Sequence, residues 1–200
     1  MRPVALSPYL RKHRLGFTLI ELMVTVSVVA ILGALAVPSL RGFFVRNAFS
    51  SIGNEFQGSL LRARNEAVSK NICATMCMSN TVDAAVPFCK QSGQDWQVGW
   101  IVFMNPSCDV DYGKNASTKA VAAADMILVR RAGNPDYALM AQSSTRKMMF
   151  NARGNVGLST ADRFDLTYTD TQLELKYGFN ICLDTMGRSR SIPVTSTCTY

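Results

Sequence analysis

Histidine is almost missing from this chain: one residue in 200, His13, lies in a basic N-terminal stretch and none follows it. That scarcity argues against most zinc centres, which draw on imidazole, and against Ser-His-Asp triads, which need it as the base. Charge is also sparse, at 18% of residues against 48% hydrophobic. Acids are absent from the first 20 residues, Glu21 being the first. No internal repeat or extended low-complexity segment is present, which excludes solenoids and linker-like chains. With 13 Gly and 7 Pro the composition is neither collagen-like nor disordered. No nucleophile–base pair, metal cluster or phosphate-binding glycine loop is visible, so the reading is not an enzyme, with no catalytic residue and no cofactor. What is left is length enough for one globular domain or two small ones.

The formal charge of +7, from 21 Lys+Arg against 14 Asp+Glu, invites a nucleic-acid reading until it is divided along the chain. Arg2, Arg11, Lys12 and Arg14 put +4 into residues 1–16, leaving +3 for everything after them. Residues 17–70 hold +2, residues 71–145 hold −1 and residues 146–200 hold +2. Bulk charge therefore reports a basic N-terminus more than a partner.

Behind that basic stretch, Phe17 to Pro38 is nearly pure apolar, interrupted by one charge, Glu21. At about 1.5 Å per residue the helix from Phe17 to Val37 spans roughly 30 Å, the thickness of a bilayer core. The basic flank places the N-terminus in the cytoplasm and the rest outside. Three readings compete. A secretory signal has a shorter apolar core and a small-x-small cleavage site, which Ala30, Ala34 and Ala36 imitate. A plain signal anchor fits the length but leaves Glu21 unexplained. An acid within a span is costly and marks a functional site by default.

The third reading accounts for the acid. Gly16-Phe17-Thr18-Leu19-Ile20-Glu21 resembles the prepilin processing site of type IV pilins and type II secretion pseudopilins. The resemblance implies that a prepilin peptidase cuts between Gly16 and Phe17 and N-methylates Phe17, leaving 184 residues. It also implies an assembly role for Glu21 and a helix-kinking role for Pro38. The physics agrees for Glu21: the new amine at Phe17, in the same chain or a neighbouring subunit, can neutralise a buried carboxylate.

Beyond Pro38, apolar residues recur at Leu40, Phe44, Ala48, Ile52, Phe56, Leu60, Ala63 and Ala67, one face of a helix that ends near Lys70-Asn71. That stripe is read as packing against the domain that follows. From Ile72 the texture changes to strand-like runs between turn signals: 72–79, 96–105, 126–131, 137–142, 147–151, 163–169 and 173–183. The expected fold is α+β, a long N-terminal helix with a membrane-spanning first half, packed on an antiparallel β-sheet head, type IV pilin-like. The expected organisation is a cleaved leader 1–16, a span 17–39, an amphipathic helix 40–71 and a β-rich periplasmic head 72–200 with a C-terminal tail.

The head sharpens the resemblance. Trp96-Gln97-Val98-Gly99-Trp100-Ile101-Val102-Phe103, Phe150-Asn151-Ala152-Arg153-Gly154 and Gly187-Arg188-Ser189-Arg190 resemble, in order, three motifs of the GspH/FimT branch of minor pilins. The stretches 80–93 and 107–124 match nothing in that branch. The partners implied are the prepilin peptidase, other pilins or pseudopilins, and the inner membrane.

Six cysteines follow the apolar run: Cys73, Cys77, Cys89, Cys108, Cys182 and Cys198. An exported head faces an oxidising compartment, so an even count reads as disulfides, with 15 possible pairings. Cys73-x-x-x-Cys77 superficially resembles a metal pair, but without histidine or a second close pair no metal is assigned. Cys182 with Cys198 is the single guess, closing a loop over the tail and holding Gly187–Arg190 in a constrained, exposed segment. Arg188 and Arg190 alternate, so in an extended segment both project to one side as a phosphate clamp. In the FimT branch the segment is associated with binding exogenous DNA, which the resemblance carries to Gly187, Arg188 and Arg190. The competing reading is a solvated turn before the last strand. Two functions stand side by side: a minor pilin in type IV pilus assembly that carries double-stranded DNA on its tail for natural transformation, and a GspH-like pseudopilin of type II secretion without DNA binding.

Overall fold

The computed structural model describes residues 16–157 and 161–199; residues 1–15, His13 among them and with them nearly all of the expected leader 1–16, lie outside that range. One helix, α1 (Leu19–Lys70), runs 52 residues and enters two compact units, one reaching Arg41 and the other beginning at Gly42. In the first unit the helix is apolar on every side, and Leu19, Val29 and Leu35 are all exposed.

The second unit holds two four-stranded antiparallel sheets. The first contains β1 (Cys73–Met78), β2 (Trp100–Asn105), β3 (Met126–Arg130) and β5 (Lys147–Phe150), in the order β3-β2-β1-β5. The second contains β4 (Tyr137–Ala141), β6 (Asp162–Tyr168), β7 (Phe179–Leu183) and β8 (Ser189–Pro193), in the order β4-β6-β7-β8. The sequence pattern predicts an antiparallel sheet head; the strands divide into two sheets, and α1 packs against both. Phe56, fully buried, meets Trp96 and Trp100 edge-on at 5.3 and 5.5 Å and lies 4.9 Å from Phe164 of β6. Both indoles are satisfied: Trp100 Nε1 donates to Ser59 Oγ and Trp96 Nε1 to the Thr145 carbonyl, each at 3.0 Å. Such pairing is what lets a large aromatic be buried without a polar penalty.

The buried face of α1 is Gly42, Val45, Phe49, Ile52, Phe56, Leu60, Ala63 and Ala67. Leu40 and Phe44 are exposed and Ala48 is half-buried, contrary to the predicted stripe. The reason is phase. Each four-residue step overshoots a helical turn by about 40°, so a run of fours walks off the face that mixed threes and fours hold.

Strands β1 and β2 are buried along their whole length. Alternate residues serve two cores: Ala74, Met76, Trp100 and Val102 face α1, whereas Cys77, Ile101 and Phe103 pack with Cys89 and Val121 on the other side. Continuous apolar runs follow from burial on both faces. The outer core is supplied by the two stretches that match no motif. Disulfides Cys77–Cys89 and Cys73–Cys108 fasten them to β1. Buried Asn105 secures the second of them, its Nδ2 donating to the Asp109 carbonyl at 2.9 Å and its Oδ1 accepting from the Asp109 N–H at 3.1 Å.

Residues 173–183 do not form one strand. Thr171–Tyr177 is a short helix, α2, and β7 begins only at Phe179. Leu173-Glu174-Leu175-Lys176 alternates with a strand's period, but Asp170 caps the turn, accepting from the N–H groups of Gln172 and Leu173 at 3.1 and 3.3 Å. Local capping overrode the alternation.

Candidate functional site

Two places carry the residues that the sequence singles out: the start of α1 and the C-terminal edge of the second sheet.

Gly16 and Phe17 lie just ahead of α1, outside regular secondary structure; Phe17 is 85% exposed and a Cβ placed on Gly16 meets nothing within 4 Å. Thr18 and Glu21 bond reciprocally: the Glu21 N–H donates to Thr18 Oγ1 at 3.2 Å, and the Thr18 N–H donates to Glu21 Oε2 at 3.4 Å. This is a capping box, satisfying two of the orphan donors at the helix start. Thr-x-x-Glu before an apolar run is a sequence signature, and it gives Glu21 a role within its own chain. The carboxylate already sits against the N–H one residue after Phe17, where a new amine would stand. Pro38 lies within α1, which runs through it as helix.

At the other end, the chain turns at Gly187 and enters β8. Gly187 takes φ +75°, open to glycine at no steric cost, and is itself buried. A Cβ there would fall 2.6 Å from the Gly154 carbonyl oxygen, so this turn rests directly on the turn at Gly154, which takes φ +79°. Arg190 pairs across the ladder with Cys182, and Cys182 is bonded to Cys198. The tail thereby returns past β8, and the Arg190 guanidinium donates to the Thr199 carbonyl and, at 2.9 Å, to Thr199 Oγ1.

Arg188 and Arg190 line one groove of about 330 Å³ with Cys182, Asp184, Ser189 and Thr199. Arg188 is exposed, and its Nε donates to Asp184 Oδ2 at 2.7 Å while its N–H donates to Oδ1 at 2.8 Å. Burial pushes the Asp184 carboxyl up, but the Arg188 backbone and side-chain hydrogen bonds outweigh it and hold the group below the usual carboxylate range. A second groove of about 400 Å³ lies on the other side of Arg188, lined by Gln57, Gly58, Leu61 and Arg64 of α1 with Gly187 and Ser189. Ser191 Oγ and Gln57 Oε1, 3.2 Å apart, tie β8 to α1 beside it.

Asp184, Thr199 and Arg64 belong to this surface and were not singled out by sequence. Asp184 precedes Arg188 by four residues, a spacing that signals an ion pair on a helix but here is brought together by the turn between β7 and β8. Arg64 lies on α1, over a hundred residues earlier, and nothing in the sequence connects it. Four other basic residues of the head, Arg146, Lys147, Arg153 and Lys176, line neither groove. Lys147 Nζ instead donates to the carbonyls of Val110 and Tyr112, both at 2.7 Å, and burial lowers its pKa.

All six cysteines are in disulfides, and Cys73 and Cys77 belong to different ones. Among the described residues no cluster of His, Cys, Asp and Glu could hold a metal ion.

Comparison with known proteins follows the same two ends. The pattern of the family described as "Type II transport protein GspH" matches residues 53–194, and that of the "Prokaryotic N-terminal methylation motif" matches residues 11–37. Among solved structures, the Pseudomonas aeruginosa type IV minor pilin FimU is similar in two crystal forms. One superposes with TM-score 0.54 at 18% identity, covering 77% of this chain and 95% of that one. The other gives TM-score 0.50 at 18% identity, covering 74% and 94%. At that identity the likeness is one of fold. No curated protein sequence matches the chain.

Proposed function

The chain belongs to the GspH family, a minor type IV pilin or pseudopilin, and on that premise we propose how its two ends divide the work. It is a structural protein rather than an enzyme, and its methylation motif implies processing by a prepilin peptidase and pilin-family partners. Cleavage falls between Gly16 and Phe17, removing residues 1–16. Residues 17–39 then form a single inner-membrane span, residues 40–71 an amphipathic connection, and residues 72–200 a periplasmic head. Glu21 guides assembly into a pilus by meeting the methylated amine of a Phe17. The tail, through Gly187, Arg188 and Arg190, contacts the phosphates of double-stranded DNA and serves its uptake in natural transformation.

The observation that carries the DNA reading is the shared groove: the turn at Gly187 and the Cys182–Cys198 bridge place two guanidiniums on one exposed edge. Few phosphates are met, so binding is weak, salt-sensitive and indifferent to sequence. A second reading is favoured by the intramolecular partners of those arginines, Asp184 and Thr199, which a purely structural tail would also have. Under it the protein is a pseudopilin of type II secretion without DNA binding.

The double variant Arg188→Ala/Arg190→Ala separates them. The DNA reading expects transformation to be lost while pili stay normal in number. Loss of pili or of secretion, with DNA binding by the purified full-length chain unchanged, overturns it in favour of assembly alone.

A further inference from the structure

We infer that Arg64 of α1 completes the nucleic-acid site and adds to it a positive charge that no carboxylate neutralises. The inference rests on the reading of Arg188 as a phosphate contact and adds a residue from a different element to it.

Charge balance leads there. Arg188 is neutralised in place by Asp184, and Arg190 is held by Thr199. Neither is fully available to a ligand without giving up a partner. Arg64 differs. Its Nε donates to a neutral acceptor, the Gly154 carbonyl, at 3.0 Å, and among the described residues it has no carboxylate partner. Among the described residues that line the groove between α1 and the Gly187 turn, only Arg64 and Arg188 are charged, and both are basic. With Arg188 paired to Asp184 and Arg64 paired to no carboxylate, the groove keeps a net positive charge, which attracts a polyanion.

Geometry places the two arginines at one spot. The Gly154 carbonyl that binds Arg64 is the atom against which Gly187 rests, within 2.6 Å of where a Cβ would stand there. Arg64 is therefore anchored on the floor of the turn that presents Arg188. The carbonyl holds Nε and fixes the guanidinium plane, leaving its terminal nitrogens for a phosphate oxygen, an arrangement suited to bidentate contact. Gly58, one helical turn and a half earlier on the same groove wall, has nothing within 4 Å of its missing Cβ, so the groove is open beside Arg64. The occupant to which this charge pattern commits is the phosphodiester backbone of DNA, running from α1 across the turn.

The test is a titration of a fluorescent double-stranded oligonucleotide with the full-length chain in detergent micelles, repeated at several salt concentrations. Arg64→Gln lowers affinity about tenfold at low salt, the loss of one charge-assisted contact. It also reduces the dependence of log affinity on log salt by about one phosphate's share. Gly58→Glu, which leaves the Gly154 contact untouched, weakens binding similarly, and Gly58→Lys strengthens it. Arg131→Gln, which removes an equal charge from a residue lining neither groove, has no such effect. The inference is overturned if Arg64→Gln and Gly58→Glu leave affinity and salt slope unchanged while Arg188→Ala reduces both. It is overturned equally if these variants spare DNA binding and abolish fibre assembly, since the groove then docks another subunit. If Arg188→Ala/Arg190→Ala also leaves DNA binding intact, the parent reading fails and the inference falls with it.

Discussion

The two halves of α1 are one continuous helix built to opposite specifications. Up to Arg41 it is apolar all round, and its large side chains are exposed; from Gly42 it buries one face and shows a polar one. A helix apolar on every side suits lipid or the packed core of an assembly, whereas a striped helix suits a domain of its own. The same secondary structure thus encodes two environments, and the transition lies in side-chain pattern alone.

The largest test of that contrast is at Phe56. Phe56→Ala removes the ring shared by both sheets and costs the head about 3–5 kcal/mol, read by denaturant unfolding. Val29→Ala, in the first half, leaves the head's unfolding midpoint unchanged. Equal effects from the two would mean that the halves are not distinct.

Next in size is the bridge that closes the tail. Replacing Cys182 and Cys198 together by serine opens a loop of separation 16 and costs about 3 kcal/mol, while releasing Arg190 from Thr199. Thermal unfolding under non-reducing conditions measures it. A loss no larger than that of a surface substitution would mean that β8 holds the tail unaided.

Two glycines five residues apart on α1 sharpen the contrast within the second half. A Cβ at Gly53 would stand 2.3 Å from the Phe179 ring, so Gly53→Ala costs about 1–3 kcal/mol despite its better helix propensity. A Cβ at Gly58 stands in open space, so Gly58→Ala stabilises by about 0.5–1 kcal/mol. Opposite signs are expected from chemically identical changes.

The smallest effect is set by pH. The Asp184 carboxyl is held below its ordinary value, so its ion pair with Arg188 contributes fully above the ordinary carboxylate range. That contribution is lost as pH falls through the folded value. An NMR titration should show the Asp184 carboxyl protonating below the ordinary aspartate range; titration at or above it would show that Arg188 is not its partner.

Much of this organisation is written in the sequence, unevenly. Gly16–Glu21 and the apolar run are local and periodic, and the family pattern matches there. The Trp96–Phe103 stretch is equally readable, because burial on both faces of β2 demands an unbroken apolar run. At the start of α1 the apolar residues spaced by four drift off the buried face, because steps of four outrun the 3.6-residue turn. Strand and helix were confused at Leu173–Lys176, where the Asp170 cap decides against a period of two. Four cysteine partners stayed open because spacing along the chain does not report which loops cover the outer face of β1. Arg64 was invisible for the same reason: the turn at Gly154 and the turn at Gly187 meet only in the folded head.

On the reading proposed above, this chain is a fibre subunit processed after Gly16, with Phe17 the first residue of its membrane segment. Mass spectrometry of the N-terminal peptide, from cells that also carry its prepilin peptidase, tests it most directly. The expected peptide begins at N-methylated Phe17, and a Gly16→Trp variant is expected to keep a chain 16 residues longer that stays in the membrane. An intact leader in the wild-type chain, a cut elsewhere, or normal processing and assembly of the variant would contradict it.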